Sequence, residues 1–151
     1  MKLAIDTSVL VAGVIASHVH YARAAVWLQA LASGRHSGVA TAHAFNETYS
    51  VLTKIPGTPR IDPVTGERLV TRLRGLLRVV PVSEVLAAAA IERCAQQGLS
   101  SGAVFDALHL VTAEAEQVDA VVTFNVRHFA RLALATSPRI LAPPDPPSIA
   151  S

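Results

Sequence analysis

Cysteine is nearly absent from this chain of 151 residues: Cys94 stands alone. A lone cysteine excludes an internal disulfide and a thiolate metal cluster, and it fits a reducing interior, so a cytoplasmic location is expected. Long apolar runs are missing as well. Although 51% of the residues are hydrophobic, the stretches Val9 to Ala16 and Val85 to Ile91 fall far short of the roughly 18 residues that a membrane span needs. No membrane association is expected. Asp6 interrupts the apolar stretch after Lys2 where a secretory leader would need an uncharged run, which argues against such a leader. A strong charge of either sign is lacking too, since 13 basic and 11 acidic residues leave a formal net charge of +2. The total therefore says little about a polyanionic partner, and the placement of charge matters more. No internal repeat is present, and the length suits one domain that buries about two thirds of the surface its unfolded form exposes.

Three carboxylates stand out against this apolar background. Asp106 lies in Ala103-Val104-Phe105-Asp106-Ala107-Leu108-His109-Leu110-Val111-Thr112-Ala113, which, if helical, must be largely buried. An unpaired buried carboxylate costs several kcal/mol, so such a group is normally neutralised, matched to a cation or bound to metal. Asp6 follows Leu3-Ala4-Ile5, and Glu47 lies between Ala44 and Val51 on the inward stripe of a helical pattern. Three such acids suggest one shared cation. Each also has a plainer reading: Asp6 as a helix N-cap, Glu47 as a salt-bridged or snorkelling glutamate, Asp106 as a carboxylate favoured by a helix N-terminus.

Short strands are expected at Lys2 to Ile5, Val39 to Ala42, Val79 to Val82, Ala120 to Thr123 and Arg139 to Leu141. Helices are expected from about His20 to Ala32, Ala44 to Thr53, Pro63 to about Leu77 with Asp62 as N-cap, and Ser83 to Gln97. Strands alternating with helices give an α/β domain with a mainly parallel sheet, whose ligands bind beyond the carboxyl ends of the strands. Asp6 and Asn125 both lie at such ends. Residues 1 to 141 are read as the domain, and the proline-rich 142 to 151 as an extended, disordered tail.

In order and spacing, Ile5-Asp6-Thr7-Ser8-Val9-Leu10, then Glu47, then Phe105-Asp106-Ala107-Leu108-His109, then Val121-Val122-Thr123-Phe124-Asn125-Val126-Arg127-His128-Phe129 resemble a PIN domain. The resemblance spans nearly the whole chain and is strongest to the VapC toxins of bacterial toxin–antitoxin pairs. It implies a PIN-like fold with a central, mainly parallel β-sheet flanked by α-helices. It further implies an endoribonuclease dependent on Mg2+ or Mn2+, whose Asp6, Glu47 and Asp106 hold one or two ions and activate water, leaving a 5′-phosphate and a 3′-hydroxyl. A homodimer and a small cognate antitoxin, binding the helices beside the site, are implied as partners. The residue chemistry agrees, because hard divalent ions prefer carboxylate oxygens and water.

Thr7, Ser8 and Asn125 are candidates for orienting water near the metal, although Thr7 and Ser8 also suit helix capping. Many members of the family carry a fourth acid where this chain has Asn125, which leaves the number of metals open. Arg127 and Arg131 are the candidate RNA contacts. The pairs Arg68 and Arg72, and Arg74 and Arg78, are at i, i+4 spacing on a helix, either touching phosphates or forming a solvated face. The six histidines fit no zinc-type spacing: His18 and His20 read as loop residues, His109 as structural, His128 as packing or capping. The stripe Ala24, Trp27, Leu28 and Leu31 reads as core or as the antitoxin surface. A second reading, opened by Asn125, is a catalytically weak PIN-like module that binds RNA or protein. A receiver-type phosphoacceptor is disfavoured, since the chain lacks an adjacent acidic pair and a late strand-end lysine.

Overall fold

The computed structural model describes residues 1–57 and 60–143. Five short strands, β1 (Lys2–Ile5), β2 (Ser37–Thr41), β3 (Arg78–Val80), β4 (Ala120–Val122) and β5 (Arg139–Leu141), form one sheet in the order β3-β2-β1-β4-β5. Every pairing is parallel; Leu3, Ala4 and Ile5 of the central strand align with Ala120, Val121 and Val122. Among the described residues seven helices cover the sheet: α1 (Thr7–Ala12), α2 (Tyr21–Ala32), α3 (Ala42–Lys54), α4 (Pro63–Arg74), α5 (Glu84–Gln96), α6 (Ala103–Ala115) and α7 (Val126–Leu132). The expected α/β architecture is therefore present, with a sheet that is wholly parallel. Among the described residues no helix is long and apolar enough to cross a membrane.

Side chains alternate across a strand, so β1 feeds two cores. Leu3 and Ile5 point into one, with Leu10, Trp27 and Phe45; Ala4 points into the other, with Val39, Leu110, Val121 and Phe129. Both faces being covered, the strands read as continuous apolar runs rather than as alternating ones. The helices start and stop where local chemistry directs. Asp62 accepts the amides of Val64 and Thr65 ahead of α4, with Pro63 in its first turn, and Ser83 accepts that of Leu86 ahead of α5. Gly34 and Gly98, at φ +72° and +64°, supply the left-handed turns after α2 and α5.

Four expectations need correction. Helix α3 begins at Ala42 rather than Ala44, because the Thr41 hydroxyl caps it by accepting the Ala44 amide at 3.0 Å. Helix α4 stops at Arg74, where the Gly75 amide folds back on Thr71 and Arg72. Arg78 is thus in β3 and its guanidinium pairs with Glu116, so Arg74 and Arg78 are not a helical pair. The stripe Ala24, Trp27, Leu28 and Leu31 is buried in the core, which removes it as an antitoxin surface. Helix α7, only seven residues long and without a side-chain cap, was not anticipated. Beyond Pro143 the tail lies outside the described residues.

Candidate active site

The site is built at the carboxyl ends of the two central strands. Strand β1 ends at Ile5, and Asp6 is the N-cap of α1, its side chain accepting the Ser8 amide at 3.3 Å. The same oxygen, Oδ2, accepts the hydroxyls of Ser8 at 2.6 Å and Thr123 at 2.8 Å. Thr123, fully buried just past β4, accepts the Asn125 amide at 2.9 Å, and the Ser8 hydroxyl accepts that of Phe124 at 3.0 Å. Capping and site roles are therefore compatible for Asp6. Its Oδ2 is consumed by the cap and the two hydroxyls, while Oδ1 makes no hydrogen bond among the described residues and lies 3.9 Å from His109 Nε2.

Glu47, half-buried on α3, is reached from two sides by imidazoles. His109 Nε2 lies 2.9 Å from its Oε1, and His43, one turn earlier on α3, lies 3.2 Å away without hydrogen-bonding geometry. His109 is buried on α6 and its Nδ1 meets the Thr41 hydroxyl at 3.0 Å. Burial opposes charge on His109, yet the Glu47 hydrogen bond and the charges of Asp6, Glu47 and Asp106 raise its pKa above the ordinary value. Burial likewise pushes Glu47 upward, but the His109 hydrogen bond and the nearby imidazoles hold it below the usual carboxylate range. Asp106, half-buried rather than deeply buried, goes the other way: burial first, then the charge of Asp6, raise it, although His128 Nδ1 stands 3.4 Å from Oδ2.

Asp6, Thr7, Ser8, Glu47, Asp106 and Asn125 all line one cavity of about 500 Å3, and among the described residues no lysine or arginine lines it. Three carboxylates in one cavity are thus faced only by imidazoles, His109 against Glu47 and His128 beside Asp106. The Thr7 hydroxyl is buried there, against the Glu47 carboxylate. The oxygens of three carboxylates, with those of Thr7, Ser8 and Asn125, outnumber the His18 and His20 nitrogens in the lining, and that donor set fits a hard divalent cation. Among the described residues no three His, Cys, Asp or Glu side chains converge closely enough to grip one ion directly. Mg2+, which usually keeps several waters, tolerates that spacing.

Arg131 and His128 line a second cavity of about 390 Å3 that shares Asp106 with the first. Arg127 is exposed on α7 and lines neither. Sequence reasoning missed the restraints on the acids. His43 precedes Glu47 by four residues and His109 follows Asp106 by three, spacings that put each pair on one helical face. Thr123 had no comparable signal, because its contact with Asp6 joins two strands distant in the chain. His20, read as a loop residue, lines the main cavity.

A family model described as the PIN domain matches residues 3–134. The chain belongs to the PIN-domain family. It is 32% identical over 127 residues to a Mycobacterium tuberculosis protein named ribonuclease VapC27, covering 83% of this chain and 85% of that one. Among solved structures it is similar to Mycobacterium tuberculosis VapC20, described as a sarcin-ricin loop cleaving toxin (TM-score 0.68, 18% identity, 90% and 99% of the two chains). It is also similar to VapBC2 of Rickettsia felis, bound to a DNA fragment from its promoter (TM-score 0.66, 18% identity, 94% and 98%). At such identities the two structures share the PIN fold with this chain.

Proposed function

We propose that this chain is a cytoplasmic endoribonuclease, the toxin of a toxin–antitoxin pair, working with Mg2+ or Mn2+ held by Asp6, Glu47 and Asp106. The observation that carries the reading is the cavity itself, with three carboxylates drawn from the end of β1, α3 and α6 and, among the described residues, neither lysine nor arginine in its lining. The kinship to a named ribonuclease supports the substrate class. A divalent cation, when bound, lowers the pKa of water and screens the charge that develops on the phosphodiester during in-line attack.

The chain's own residues set the stage. Ser8 and Thr123 fix Asp6 through Oδ2 and leave Oδ1 to the cavity. His109 holds Glu47 ionised and positioned. The Thr7 hydroxyl orients water, and Asn125, neutral where many relatives have an acid, favours a single cation. Arg131 and His128 beside Asp106 receive a phosphate of the substrate, and Arg127 reaches the strand further out, so binding falls as salt rises. A small protein antitoxin covering this mouth silences the enzyme, and the chain works as a homodimer. Toxin–antitoxin assemblies such as VapBC2 among its structural neighbours support the partner class.

The test is cleavage of total RNA by purified, partner-free protein with magnesium or manganese, with chelator, and with Asp106→Asn. Discrete fragments lost with chelator and in the variant support the reading. Absence of cleavage by folded protein with either metal shifts it to an RNA- or protein-binding PIN module, the alternative that Asn125 favours.

A further inference from the structure

One wall of the acidic cavity is aromatic. His20 and Phe124 both line it, and their rings stack nearly parallel, with centroids 4.4 Å apart and planes 15° from each other. The Arg23 guanidinium lies 5.5 Å from the Phe124 centroid. The His18 imidazole, also in the lining, stands tilted beside His20 with centroids 5.7 Å apart and planes 47° from each other. His20 stands at the N-cap of α2 without capping it, and its ring nitrogens make no hydrogen bond among the described residues. The backbone that carries it is nevertheless fixed, since the His20 amide donates to His18 Nδ1 at 3.0 Å. Phe124 is anchored from behind by packing against the core.

The cavity is not polar throughout. Val11 and Val51 line it together with the aromatic pair, so apolar surface borders the carboxylates. Such surface suits the face of a nucleobase whose phosphate sits at the acids.

We infer that the His20–Phe124 stack is a base platform: an unpaired nucleobase next to the scissile phosphate rests on it, so that the enzyme positions single-stranded RNA by stacking. The inference rests on the ribonuclease reading and adds the residues that seat the substrate. A base held in a duplex keeps its faces covered by its neighbours and has none to offer the wall, whereas unpaired bases stack on aromatic side chains with little regard to sequence.

The test compares two short random-sequence single-stranded RNAs, one intact and one with abasic riboses, binding to the full chain by fluorescence anisotropy. Calcium replaces magnesium, and gels confirm that the RNA stays whole. Wild type is expected to prefer the intact strand; His20→Ala lowers affinity for it roughly 5- to 150-fold and leaves the abasic strand unaffected, while His20→Phe retains the preference. His20 is the position of choice because Phe124→Ala removes core packing. An unchanged preference in His20→Ala, or equal binding of both strands by wild type, overturns the platform. Cleavage of total RNA by wild type and by His20→Ala, assayed in parallel, separates that failure from failure of the ribonuclease reading. Wild type that neither binds nor cuts RNA overturns both.

Discussion

Replacing Thr123 by valine keeps the shape of a fully buried side chain and deletes one hydroxyl. Two short hydrogen bonds disappear, the 2.8 Å bond donated to the Asp6 carboxylate and the 2.9 Å bond accepted from the Asn125 amide, together with a long 3.4 Å contact to the Ser8 hydroxyl. A hydrogen bond to a charged group contributes about 1.5–3 kcal/mol, and a neutral one about 1. Asn125 is exposed and its amide can turn to water, and the added methyl gains from burial, so the net loss is expected at about 2–3 kcal/mol. For a domain of this length that lowers the Tm by roughly 4–12 °C. The effect should appear as a lower denaturant midpoint at unchanged m-value, together with slower RNA cleavage at a temperature where both proteins are fully folded. Thr123→Ser, which restores the hydroxyl, should recover the cleavage rate even where it loses some stability to the missing methyl. If Thr123→Val melts within about 0.5 kcal/mol of wild type and cleaves equally well, the hydroxyl does not hold Asp6 and the account of this corner of the site is wrong.

Other perturbations have equally definite outcomes. Burial and Asp6 raise Asp106 above its ordinary 3.8, so its ionised form destabilises the fold increasingly as pH rises through the raised value. In chelator at neutral pH Asp106→Asn should be at least as stable as wild type, and Mg2+ should raise the Tm of wild type alone, both read by calorimetry. Glu114 behaves oppositely. Burial pushes it up, yet paired hydrogen bonds from Arg93 at 2.8 and 3.0 Å, with help from Ser137, hold it below 4.5. Its stabilisation is full above pH 4.5 and fades as pH falls through the depressed value. Glu114→Gln should therefore cost about 2 kcal/mol at pH 7, by urea titration, and converge with wild type in acid. Gly38→Ala places a Cβ 2.4 Å from Leu77 Cδ2 and 2.8 Å from Leu31 Cδ2, both side chains buried. It should lose about 1–3 kcal/mol, part of which Leu77→Val restores in the same melts.

The α/β class, the strand sequence and the caps at Asp62 and Ser83 were legible because each depends on residues close together in the chain. Strand and helix ends slipped where the deciding group was a hydroxyl or a backbone bond, as at Thr41 and Gly75. The three acids were conspicuous as charges in apolar surroundings, a cost that composition alone reveals. Their restraints were not, because the contacts of Thr41, Thr123 and His109 close across 68, 117 and 62 residues of chain, and no periodicity encodes a pairing between separate elements. Helix α7 escaped for a related reason: a seven-residue segment without a side-chain cap owes its form to Phe129 and Leu132, buried against the sheet.

The unequal treatment of the three acids bears on how such a chain decays. Asp6 and Glu47 are woven into hydrogen bonds that also hold α1 and α6, so their loss should be felt by the whole domain. Asp106 strains against its surroundings, and its amide replacement leaves every helix face in place. On the proposed reading, Asp106→Asn would leave a folded chain that no longer cuts RNA yet keeps the surface a partner covers. Loss of cleavage and loss of fold are therefore separable at Asp106 and tied together at Asp6 and Glu47.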